Sequence, residues 1–97
     1  MAHYWLTFRV ADDGHPDRYD ALIAAVNDSG DAFWDGPTSF ICIESGLSID
    51  RLGANLKAAI SPREDLIVIR EIGRDDTRYA GQPGDGFLYF FPKAKKL

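Results

Sequence analysis

Between His3 and Val10 the chain alternates, with Tyr4, Leu6, Phe8 and Val10 on one side and His3, Trp5, Thr7 and Arg9 on the other. That period of two predicts a strand with one face in a core. Asp12, Asp13, Gly14, His15 and Pro16 then form a dense group of turn formers. Pro16 suits the first position of a helix, where its missing N–H costs nothing. Tyr19, Leu22, Ile23 and Val26 follow at i, i+3, i+4 and i+7, so a helix is predicted from about Pro16 to Asp28, ended by Gly30.

Ala32 to Asp35 and Ser39 to Glu44 read as two short strands around the turn at Gly36 and Pro37. Ser48 is placed to cap a second helix, with Leu47 and Leu52 positioned as a hydrophobic staple. Ile49, Leu52, Leu56 and Ile60 share one face of it, and Pro62 stops it by forcing Ser61 out of the helical region. Leu66 to Ile72 is almost wholly apolar and β-branched, which predicts a strand in the middle of a sheet. The stretch from Arg74 to Gly86 reads as a loop, and the aromatic run Phe87 to Phe91, closed by Pro92, as a final edge strand.

The element order is therefore β, α, β, β, α, β plus one more strand. The expected fold class is α+β: a ferredoxin-like βαββαβ sandwich in which an antiparallel sheet carries two helices on one face and an extra C-terminal strand. The 97 residues fit a single domain, 1–97, with one core. Phe87, Tyr89 and Phe91 would give that last strand more apolar surface than a small monomer leaves bare, so a homodimer is expected, built on them and on the open sheet face.

Composition narrows the choice of partners. The apolar fraction of 45% is that of a folded domain. Cys42 is the only cysteine, which excludes an internal disulfide and points to a reducing, cytoplasmic setting. No apolar run approaches the ~20 residues needed to span a bilayer, and the N-terminal segment meets charge too early for a signal peptide. A net charge of −4 works against broad binding to nucleic-acid backbones, with Lys93, Lys95 and Lys96 as the local exception.

Few residues carry candidate chemistry. Asp12, Asp13 and His15 put three potential metal ligands, or a general base beside two carboxylates, into four residues at the mouth of a helix; a turn with favourable helix-dipole charges explains the aspartates equally well. Trp5 beside Arg9 could stack a nucleobase on an open sheet or bury itself against a partner protein. Cys42 between Ile41 and Ile43 reads as a small core residue. Gly81, Gly84 and Gly86 precede a strand and so do not form a phosphate loop. Neither a zinc-type spacing nor a nucleophile elbow is found.

The runs YWLTFRVADDG, DRYDALIAAV, TSFICIES, SIDRL, PREDLIVIREIG and RYAG, together with the Trp34 strand, resemble the small SinR-like bacterial proteins over roughly Tyr4 to Gly81. These look like relatives of the small CRISPR-associated endoribonuclease of the spacer-acquisition pair. The resemblance implies a ferredoxin-like homodimer and, as an alternative to a non-catalytic module, a metal-dependent endoribonuclease or an RNA-binding toxin–antitoxin component using Mg or Mn. It also implies an acidic metal ligand at the end of the first strand, where this chain has Arg9. Asp12 or Asp13 would have to act from three or four residues away, about 10 Å along an extended backbone. Without such a cation, Arg9 is expected to pair with Glu44, Asp35 or Glu71, or to bind an anion.

Overall fold

The computed structural model describes every residue of the chain except 12–16, 38 and 74–75. The alternating N-terminal segment forms β1 (Ala2–Arg9). After α1 (Asp17–Ser29) come β2 (Ala32–Trp34), β3 (Phe40–Ser45), α2 (Ile49–Lys57) and β4 (Leu66–Glu71). These four strands make one sheet of order β2-β3-β1-β4 in which every neighbouring pair is antiparallel.

Directly opposed residues in such a ladder share a face, so the register sorts the side chains. Leu6 lies between Ile41 and Ile69, and Tyr4 lies opposite Ile43, while Phe8 faces Ile67. This face is closed by Leu22 and Val26 of α1 and by Leu52 and Leu56 of α2, and all these residues except the two of β4 are buried. Each full side-chain burial of this kind contributes roughly 2 kcal/mol. The cap of α2 forms as expected, with the Arg51 N–H donating to the Ser48 hydroxyl over 3.2 Å. Ser45, buried at the end of β3, donates to the Ser29 carbonyl at 2.7 Å and ties the end of α1 to the sheet.

Two sequence-based expectations need correction. First, β4 is an edge strand, not a central one. β1 and β3 occupy the middle, and the apolar run of β4 is covered by α2 on one face only. Second, no C-terminal strand is built from the aromatic run. Phe87–Phe90 is a short helix, α3, preceded by β5 (Arg78–Tyr79) and followed by β6 (Lys95–Lys96), which pair in parallel as a separate two-stranded sheet. The reason is visible in the spacing. A strand would send Phe90 to the opposite side from Phe87 and Phe91, whereas i, i+3 and i+4 on a helix put all three on one side. Those three are buried, while Leu88 and Tyr89 are exposed. Gly86 starts the turn at φ 89, a backbone conformation natural only to glycine.

One buried carboxylate braces the helix-covered side. Asp65, just before β4, accepts from the Ser61 N–H at 2.9 Å, from the Ala11 N–H at 2.8 Å and from the Arg18 Nε at 2.8 Å. It thereby joins the ends of β1 and α2 to α1. The backbone donors at Ser61 and Ala11 and the Arg18 guanidinium outweigh burial and hold its pKa at about 2. A carboxylate depressed in the folded state stabilises fully above its ordinary value near 4, and that contribution drains away as the pH falls towards 2. Asp65→Asn keeps the shape but loses the charge opposite Arg18. It should lower the melting temperature by roughly 10 °C at neutral pH and much less near pH 2, measured by calorimetry.

Candidate interaction surface

The second face of the sheet carries the odd-numbered residues of β1 with their register partners. His3 lies opposite Glu44, Trp5 between Cys42 and Arg70, Thr7 between Phe40 and Val68, and Arg9 opposite Leu66. Half of this face is covered by the C-terminal segment of the same chain. Trp34 is the centre of that contact: its indole N–H donates to the Pro83 carbonyl at 2.8 Å, and its ring meets Phe87 at 5.0 Å and Phe91 at 6.3 Å. Tyr79 closes on Phe87 from the other side, also at 5.0 Å. Beneath them Cys42 is fully buried, and burial pushes its thiol up to about 12. It is a core residue there, with no nucleophilic character at neutral pH.

A polar latch fastens the same segment. The Tyr89 hydroxyl reaches both oxygens of Glu44, at 2.8 and 2.9 Å, and the His3 Nε2 lies 2.9 Å from the Glu44 Oε2. The His3 ring stands edge-on to Phe90 at 5.8 Å. The hydrogen bond from Tyr89, helped by the hydrogen bond and charge of His3, holds the Glu44 carboxyl below its usual range against the opposing effect of burial. A His, a Glu and a Tyr in contact can in principle move protons. Here they join β1, β3 and α3.

The residues expected to act are therefore dispersed. Phe87 and Phe91 are buried under their own chain, and Tyr89 is half exposed on Glu44. Trp5 is half buried, tilted against Phe40 at 6.1 Å. Arg9 is exposed at the far end of β1, and the Glu44 carboxylate expected for it is held by His3 and Tyr89. Lys95 and Lys96 are exposed on β6, with Lys93 in the turn before it. Asp12, Asp13 and His15 lie outside the described residues. Among the described residues no group of three or more His, Cys, Asp or Glu side chains could hold a metal, and no helix is long and apolar enough to cross a membrane.

What stays uncovered is the β4 side. On the second face Leu66 is 50% and Val68 42% exposed, next to Thr7, Arg9 and Arg70. On the helix face a groove of about 460 Å³ runs between α2 and β4, lined by Ile49, Gly53, Ile60, Pro62, Ile67 and Ile69 and edged by the charges of Asp50 and Lys57. The sequence shows this apolar run but not which strand lies at the edge. No protein-family model matches the chain, and no curated protein matches it either.

The latch generates a test. Tyr89→Phe should accelerate amide exchange at Phe90 and Phe91, whose N–H groups close the turn of α3, and should lower the melting temperature by roughly 5 °C. Because the Glu44 pKa is lowered in the folded state, the latch is strongest above the ordinary carboxylate range and weakens as the pH falls below it. The variant should accordingly be less sensitive to mild acid than the parent.

Proposed function

We propose that this chain is a ferredoxin-like module of the cytoplasm that forms a homodimer and works through protein contact, without catalysis. The order of strands and helices up to β4 is that of a βαββαβ sandwich, with both long helices packed into the one core on the first face. The observation that carries the functional reading is the edge strand β4. No strand among the described residues pairs with its outer side, and it carries apolar residues on both faces, Leu66 and Val68 on one and Ile67 and Ile69 on the other. It has no proline, and its one charge on the helix face, Glu71, stands at its last position, so residues 66–69 form an apolar edge that can serve as a template for another chain. The contact surface thus moves from the C-terminal aromatics, which complete this chain's own core, to β4 and the strip beside it.

A second reading, a metal-dependent endoribonuclease or RNA-binding component using Mg or Mn, draws on the family resemblance. Arg9 and Arg70 on the open part of the sheet, with Trp5 directly opposite Arg70 in the ladder, are the observation in its favour. The net charge of −4 weighs against it.

Light scattering on a sizing column tests the dimer, and an RNA cleavage assay separates the two readings. The parent chain should elute at twice its chain mass at high micromolar concentration, and Val68→Lys should elute as a folded monomer. A parent protein that stays monomeric would contradict the proposal. So would cleavage of labelled single-stranded RNA that requires Mg or Mn and is lost in the double variant Asp12→Ala, Asp13→Ala.

A further inference from the structure

We infer that the partner on β4 is β4 of a second copy, paired antiparallel about a two-fold axis at Val68, so that two four-stranded sheets become one of eight. The inference rests on the homodimer reading above and specifies its contact. The hydrogen-bonding edge comes first. The Ile72 N–H donates to the His3 carbonyl at 2.8 Å, and antiparallel ladders alternate, so the polar groups of Leu66, Val68 and Arg70 turn towards β1 while those of Ile67, Ile69 and Glu71 turn outwards. Those outward groups need acceptors and donors at the same spacing, which a second β4 provides.

Side chains then select one register. In a two-fold antiparallel pair each residue must face one of the same parity, because opposed residues share a face and the axis preserves it. Centring on Val68 sets Ile67 opposite Ile69 of the second copy twice over on the helix face. On the other face Val68 meets Val68, and Leu66 lies under the aliphatic stem of Arg70. Ile67 and Ile69 would bond to each other across the axis in both directions, making four backbone hydrogen bonds. Centring on Ile67 would set Asp65 against Ile69. Centring on Ile69 would set Glu71 against Ile67. Both slips put a carboxylate opposite an isoleucine, which the Val68 register avoids.

Charge and space agree with that choice. The Val68 register brings Glu71 of the second copy opposite Asp65, whose carboxylate is turned into its own chain, and onto the groove wall that Lys57 also lines. The lysine offers the incoming carboxylate a counter-charge at each end of the pair. The groove itself has room because α2 carries Gly53 where a Cβ would meet only the Ile69 Cδ1, at 3.8 Å. A mid-helix glycine costs about 1 kcal/mol relative to alanine, and the packing within this chain does not require it. The space it leaves lies where isoleucines of the second copy would enter.

Cysteine cross-linking under mild oxidation tests the register. Val68→Cys should form a disulfide-linked dimer almost completely, since a non-hydrogen-bonded pair on the axis has Cα atoms ~4.5 Å apart, within disulfide reach. Leu66→Cys alone should not, because the two copies of position 66 stand about 13 Å apart along the strands. Mixing Leu66→Cys with Arg70→Cys should give the mixed dimer. Cys42 is buried and stays silent as an internal control. A parent protein that is dimeric by light scattering while Leu66→Cys cross-links and Val68→Cys does not would overturn this contact and leave the homodimer reading standing. A parent protein that is monomeric throughout, its edge left for a strand of some other protein, would overturn both.

Discussion

A sheet has two faces, and the two long helices of this chain both lie on one of them. Everything else in the structure answers to the second face. β1 and β3 carry His3, Trp5, Phe40 and Cys42 there, too much aromatic and apolar surface for water, and the cover is the chain's own C-terminal segment. The cover is small. Three phenylalanines on little more than one helical turn, held by Trp34 above and by the Glu44 latch at the side, close half of the face and leave the β4 half open.

That division determines which surface remains for other molecules. Had the aromatic run been a strand, it would have lengthened the sheet and offered its edge to a partner. As a helix it packs against β2 and β3, and the long apolar edge strand is β4, at the other end of the sheet. The two polar clusters fit the same division. Asp65 braces the loops that lead into β4, and Glu44 fastens the cover over β3. Both carboxylates have lowered pKa values, so each side of the sheet should loosen as its own carboxylate is protonated in acid.

Much of this was legible in the residue pattern. Strict alternation identified β1, and the Ser48 cap with its apolar stripe identified α2, because both signals are local. The aromatic run was ambiguous for a physical reason: five consecutive apolar residues satisfy a period of two and a period of 3.6 equally, and only the position of Trp34 decides between them. The apolar run of β4 likewise suits a central strand or an edge awaiting a partner. The latch and the brace could not be read at all, since Tyr89 bonds Glu44 across 45 residues and Arg18 bonds Asp65 across 47. Nothing in their sequence neighbourhoods marks those carboxylates as different from the other acidic residues.

In the dimer we propose, the outward backbone groups of β4 are bonded to another copy of the same strand. Amide hydrogen exchange, resolved by residue and followed over a range of protein concentrations, tests it directly. The N–H groups of Ile67 and Ile69 should exchange quickly in dilute protein and become protected as the concentration rises, while those of Val68 and Arg70, bonded to β1, stay protected throughout. Exchange at Ile67 and Ile69 that stays fast at every concentration would rule out this pairing.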